Sequence, residues 1–295
     1  MKKGLVMEGG AMRGMFTAGV IDVMMEHQIT FDGAMGVSAG AVFGCNYNPA
    51  AASEPLPFYQ TQVPAFFAPE WNLLRLHQAI HIHPRRPALT QSAWMPMLSS
   101  IPFLSYHTDP FDYETYRKNP MDFYVVVTDA KTGKALYKKV DQCDKKEKEW
   151  MRASASMPIV SKPVCVDGYE LLDGGVADSI PVQKMQELGF DKTVVVLTQP
   201  RDYVKKKNQL MPLAKVSLRR YPAMIDAMEH RHEHYNEELE YIRGKEERGE
   251  LFVIRPPKKI EVSKVERDRQ RLLAAYRMGR ETMKEHMRSL ERFLK

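Results

Sequence analysis

Within the first 45 residues one arrangement occurs twice: a short apolar run ends in a glycine-bearing turn that opens a helix. The run Gly4-Leu5-Val6-Met7 leads into Glu8-Gly9-Gly10-Ala11-Met12-Arg13-Gly14. From Met15 to His27, Phe16, Val20 and Met24 recur at i+4 spacing with Ile21 and Met25 beside them, which predicts a helix with a broad apolar face. Residues 31–37 give a second strand, and residues 39–45 begin a second helix. Strand, helix and strand at this length require a parallel pair joined by a crossover helix, which commits the chain to the α/β class.

Two later runs fit the same sheet. Phe123-Tyr124-Val125-Val126-Val127-Thr128 and Val194-Val195-Val196-Leu197-Thr198 are continuously apolar over strand length, as suits strands covered on both faces. Residues 129–134 read as a hairpin connection into Ala135-Leu136-Tyr137. Beyond residue 214 the chain turns to long, charged, helix-forming stretches. Pro222 can occupy a first-turn position of a helix running to residue 248. Leu251-Phe252-Val253-Ile254 resembles one last strand, and residues 262–293 resume helix. The expected organisation is a domain over 1–200 and a helix-rich C-terminal extension over 201–295.

Composition narrows the setting. Hydrophobic residues make up 44% and charged residues 27% of the 295, ordinary for a globular protein with a sizeable core. The net charge of +6 is concentrated in the tail, and no nucleic-acid partner is expected. Cys45, Cys143 and Cys165 are odd in number and form no CxxC pair, which excludes a disulfide framework and suits a reducing compartment. The apolar run after Lys2 and Lys3 stops at Glu8, far short of a secretory segment, and no stretch approaches the roughly 18 apolar residues of a membrane span. A cytoplasmic protein is expected, meeting the inner face of the membrane at most peripherally.

One segment is anomalous. Residues 48–109 hold nearly half of the chain's 19 prolines, and no lysine occurs between Gly4 and Arg117. Apart from a short helix candidate over 71–80, no period is sustained there. The stretch reads as a proline-rich lid or a loop-rich insertion; a pair of compensating reading-frame shifts would also produce such a patch.

Three motifs carry chemistry. Gly36-Val37-Ser38-Ala39-Gly40 is a G-x-S-x-G between a strand and a helix, the context of a nucleophile elbow. Gly36 and Gly40 allow the tight turn that lifts Ser38 above the sheet at a helix N-terminus, where developing negative charge is favoured. Alone, the pentapeptide also arises by chance. The turn formed by Gly9, Gly10, Ala11, Met12, Arg13 and Gly14 offers backbone N–H donors of the kind an oxyanion needs. Its rival reading is a phosphate-binding loop, weakened because Val37-Ser38 stands where a dinucleotide site would carry an acid. Asp173-Gly174-Gly175 follows Leu171-Leu172 and places an aspartate at a strand end; as a bare tripeptide it is also a routine turn.

In order and spacing these motifs resemble the patatin-like phospholipase family. Ala153-Ser154-Ala155-Ser156-Met157-Pro158 is similar to that family's small-residue segment ahead of the aspartate. The resemblance covers residues 4–200, interrupted by 48–109. It implies a three-layer α/β/α hydrolase fold, a Ser–Asp dyad with Ser38 as nucleophile and Asp173 as base, and oxyanion donors at the N–H groups of Gly10 and Ala11. It implies a phospholipid or other acyl-ester substrate and neither a metal nor an organic cofactor. Ala11 stands where the family usually has Gly, Glu8 where it usually has Asp, and Arg13 matches a basic position suited to bracing the loop.

Rival sites are weaker. His230, His232 and His234 form an H-x-H-x-H without H-E-x-x-H or a third ligand, and read as solvated helix surface. His81 and His83 read as loop residues, His107 would be the histidine of an ordinary triad, and Asp167 is the alternative carboxylate. Two other functions remain: a catalytically idle module binding lipid or protein, and a nucleotide-binding module built on residues 9–14. The tail's stripe of Leu273, Tyr276, Met283, Met287, Leu290 and Leu294, broken by Arg280, suits a helix packed on the catalytic domain, with a membrane-surface helix as the alternative.

Overall fold

The computed structural model describes residues 1–50 and 113–295. From residue 51 on, the proline-rich stretch lies outside the described residues, as do His81, His83 and His107. Strand β1 (Lys3–Met7), helix α1 (Gly14–Glu26) and strand β2 (Gly33–Val37) form the expected unit, with β1 and β2 parallel from Gly4↔Gly33 to Met7↔Gly36. Helix α2 (Ala39–Gly44) follows at once.

After the next described helix, α3 (Tyr113–Lys118), strand β3 (Asp122–Asp129) runs parallel to β2 and turns into antiparallel β4 (Ala135–Val140). The turn is the hairpin the sequence signals, with Gly133 in the left-handed region at φ 70°. Then come α4 (Lys145–Ser154), the short hairpin β5 (Val164–Val166) and β6 (Tyr169–Asp173), α5 (Val182–Glu187) and β7 (Lys192–Val196), which lies parallel to β1. Helix α6 (Met211–Ser217), helix α7 (Pro222–Glu247) with its proline in the first turn, β8 (Leu251–Ile254) and α8 (Arg269–Leu294) complete the described chain. The strand order is β5-β6-β3-β2-β1-β7-β8, with β4 on β3.

Alternation along the strands divides the core in two. Leu5 and Met7 share one face with Phe123, Val125, Val127, Val194 and Val196, and there α1, α2, α4 and α8 pack. Val6 faces the other way with Met35, Val37, Val126 and Val195, against α5 and α7. The result is three layers, helices on a mixed sheet on helices. α1 is buried from Gly14 to Met25 because it is sandwiched between the sheet and α8.

The tail differs from its sequence reading in two ways. Helix begins at Arg269 rather than at residue 262, because Asp268 caps it by accepting the N–H groups of Gln270 and Arg271 at 2.8 and 3.4 Å. The buried stripe opens on Leu272, Ala275 and Gly279, while Leu273 is only half-buried. The crossing with α1 is made at backbone contact: a Cβ on Gly19 would sit 2.1 Å from the Tyr276 carbonyl oxygen, and one on Gly279 2.1 Å from that of Phe16. Arg280 reaches across to Glu26 with two bonds of 2.9 Å. Among the described residues no helix is long and apolar enough to cross a membrane.

Candidate active site

β2 ends at Val37, and Ser38 takes φ 53° and ψ −119°, a conformation strained for any residue with a side chain. The turn is packed too tightly for larger flanking residues: a Cβ on Gly36 would meet the Gly40 carbonyl oxygen at 2.5 Å, and one on Gly40 that of Met7 at 2.3 Å. Ser38 itself is half-buried. Its N–H donates to Ser154 Oγ at 2.9 Å, and the Ser154 hydroxyl donates to the Val126 carbonyl at 2.6 Å.

A single strand brings Asp173 to this point. One edge of β3 is taken by β4 over residues 123–128. The other is shared: β2 pairs along residues 122–126, and β6, arriving from the opposite direction, takes over at residue 127. Val37 therefore pairs with Val126 and Asp173 with Val127, so the residue after β2 and the last residue of β6 meet. Ser38 Oγ donates to Asp173 Oδ2 at 2.7 Å, and the Gly175 N–H donates to Oδ1 at 2.8 Å. Burial pushes the Asp173 carboxyl above its ordinary range, against the opposing pull of Arg231, the Ser38 hydroxyl and the Gly175 N–H. Gly174 passes so close to β3 that a Cβ would lie 2.2 Å from the Val126 carbonyl oxygen.

The glycine-rich turn lies against the same serine. A Cβ on Gly9 would sit 2.9 Å from Ser38 Cβ. Residues Ala11–Arg13 form one 3-10 turn feeding α1, with Met12 buried and Gly14 pressed on Phe43 and Ala39. Ala11 occupies the left-handed region at φ 48°, where glycine is the unstrained choice. Among the described residues, neither the Gly10 N–H nor the Ala11 N–H has a hydrogen-bond acceptor. Glu8, buried, fixes the start of the turn: its Oε2 accepts the Thr198 N–H at 2.6 Å and its Oε1 the Tyr235 hydroxyl at 2.7 Å. Arg13 Nε donates to Thr198 Oγ1 at 3.4 Å.

Other residues met in the sequence lie elsewhere. Asp167 sits in the β5–β6 turn, where it accepts from Trp150 Nε1 at 2.9 Å and pairs with Lys146. His230 and His234 are exposed on α7, and no histidine among the described residues hydrogen-bonds Ser38 or Asp173. On the inward side of the same helix is a residue that the sequence reading passed over. Arg231 Nε donates to the Gly175 carbonyl, so α7 buttresses the turn that carries Asp173. The only local signal was the i, i+4 spacing of Arg231 and Tyr235, both turned toward the sheet.

The chain is a three-layer α/β protein in which a strained serine turn faces a buried carboxylate. A model of the family described as patatin-like phospholipase matches residues 5–185, and the chain belongs to that family. A domain of unknown function, DUF6363, matches residues 221–295. The uncharacterized protein YjjU of Escherichia coli (strain K12) is 27% identical over 271 residues, covering 86% of this chain and 68% of that protein. The lysophospholipase nte1 of Aspergillus niger is 28% identical over 198 residues, 64% of this chain, and the chain spans only 11% of its length. Among solved structures, VipD from Legionella pneumophila aligns with a TM-score of 0.48 at 12% identity, over 98% of this chain and 67% of that one.

Proposed function

We propose that this chain is a serine acyl-ester hydrolase acting on phospholipids or lysophospholipids. The observation that carries the reading is the 2.7 Å hydrogen bond from Ser38 Oγ to the buried carboxylate of Asp173, made at a strained turn beside free backbone donors. Ser38 Oγ attacks the acyl carbonyl carbon while its proton passes to Asp173 Oδ2. The N–H groups of Gly10 and Ala11 take the oxyanion. Collapse of the tetrahedral intermediate expels the alcohol, which leaves with the proton held on Asp173. Water then attacks the acyl-enzyme, giving its proton to Asp173, and Ser38 is restored as the fatty acid departs.

Family membership and the lysophospholipases among the relatives support a lipid acyl ester as the substrate. Three free thiols support work in a reducing compartment, with contact to the membrane limited to its surface. The test is labelling by a fluorophosphonate probe. Wild type should be modified at Ser38, Ser38→Ala should not react, and Asp173→Asn should react slowly. Unchanged labelling of Ser38→Ala would remove the assignment.

A further inference from the structure

Beside the dyad, four cations converge from four separate segments. Arg13 comes from the glycine-rich turn, Lys205 from the chain after β7, Arg231 from α7, and Lys264 from the chain before α8. Arg231 Nη2 and Asp173 Oδ1 each lie 3.1 Å from the point where a Cβ on Gly175 would stand, which puts the guanidinium next to the carboxylate that receives the Ser38 bond. Lys205 Nζ lies 3.9 Å from the centroid of the Tyr235 ring, whose hydroxyl is bonded to Glu8 at the base of the glycine-rich turn. Lys264 faces Arg231, Arg13 and Asp173.

Like charges gathered in a crowded place repel one another and are costly unless something neutralises them. Among the described residues none of the four has a carboxylate within ion-pair distance. Glu8, bonded to Thr198 and Tyr235, and Asp173, bonded to Ser38 and Gly175, face the four cations and offset them only in part. Glu238 is held well above the usual carboxylate range, first by burial and then by Asp178. The strain shows in the lysines. Burial, then Arg231, pushes Lys205 down to about 7, and Lys264 is lowered by the same two causes in the same order.

We infer that Arg13, Lys205, Arg231 and Lys264 form an anion subsite that receives a phosphate group on the molecule whose acyl ester Ser38 attacks. Planar guanidinium forks beside compact ammonium groups suit a phosphate's several oxygens. The inference rests on the hydrolase reading above and adds to it the side chains that hold the phosphate beside the ester. Three of the four cations stand beyond residue 200, so the C-terminal part of the chain would set what the serine turn cleaves.

Lys264 keeps part of its side chain in solvent, so Lys264→Glu tests the charge without emptying a packed site. In wild type, kcat/KM for a 1-acylglycerol phosphate should exceed that for the same acylglycerol lacking phosphate by about tenfold or more, and the ratio should fall toward one in Lys264→Glu. An equal ratio in the two proteins would overturn the subsite. Inorganic phosphate separates its failure from that of the hydrolase reading. A phosphate-dependent rise in Tm in wild type alone, with neither ester cleaved, would keep the anion site and sink the hydrolase. Cleavage of both esters at one rate, with no response to phosphate, would do the reverse. Phosphate should also compete with the charged ester; if it only altered turnover of the uncharged one, a free-phosphate site would replace the headgroup assignment.

Discussion

Ser154 holds the backbone of Ser38: its Oγ takes the Ser38 N–H at 2.9 Å and passes its own proton to the Val126 carbonyl. One fully buried hydroxyl, 116 residues along the chain from Ser38, thereby ties the strained turn to β3. Ser154→Ala leaves a buried donor and a buried acceptor unpaired, which should cost about 1–3 kcal/mol in urea unfolding. Ester hydrolysis should fall with it by about tenfold, since Ser38 loses the bond that fixes its φ. Undiminished activity in a destabilised variant would show that the turn holds its shape without Ser154.

Asp173→Asn keeps the shape of the carboxylate but cannot accept the Ser38 proton, and should lower kcat by about 10²–10⁴-fold. Because burial raises this carboxyl above its ordinary 3.8, and the ionised form is the base, kcat/KM should rise with pH through a midpoint above 3.8. Each of the nine His→Ala variants should retain activity. A folded histidine variant as impaired as Asp173→Asn would replace the dyad by a triad.

Backbone contact between α1 and α8 makes Gly19 and Gly279 intolerant of a methyl group. Gly19→Ala would drive a Cβ to 2.1 Å from the Tyr276 carbonyl oxygen. Alanine's helix propensity returns only about 1 kcal/mol, so the net loss should be about 2 kcal/mol or more. Thermal unfolding of Gly19→Ala and Gly279→Ala measures it; a rise in Tm would show that the helices can separate freely.

Asp22, buried on α1, accepts the Tyr276 hydroxyl of α8, and burial raises its carboxyl to about 6 despite that bond and Arg280. The folded protein therefore binds this proton more tightly than the unfolded chain. The associated stability is complete below the ordinary value of 3.8 and is lost as pH rises through about 6. Asp22→Asn removes the titration while keeping an acceptor for Tyr276. The stability of the variant relative to wild type should increase by about 2–3 kcal/mol between pH 4 and pH 7. A constant difference across that range would contradict the shift.

Strands β1, β2, β3, β7 and β8 and helix α1 could be read from the sequence because each is an uninterrupted or periodic apolar segment long enough to show its pattern. α4 could not: Lys145-Lys146-Glu147-Lys148-Glu149 opens it, and only Trp150, Ala153 and Ser154 anchor its buried side beyond Glu147. Strand β5 escaped because it has three residues, one of them the exposed Cys165. Reading large side chains alone misplaced the start of the α8 stripe, since small residues share it and the closest approach is made at Gly279 and at the backbone of Tyr276. Ser38, the glycine-rich turn and Asp173 were visible as motifs. Ser154, Arg231 and Tyr235 act on them across long sequence separations, and no local pattern announces such contacts.

Tyr235 reaching back to Glu8 has a consequence for synthesis. A ribosome that has just produced β6 has already made Ser38, Asp173 and the shared edge of β3. The glycine-rich turn still lacks the Tyr235 hydroxyl on Glu8, and α1 still lacks the helix that covers it. A nascent chain at that stage carries Ser38 without its finished surroundings. Until α7 and α8 have emerged, Ser38 therefore stands beside a turn whose support is incomplete.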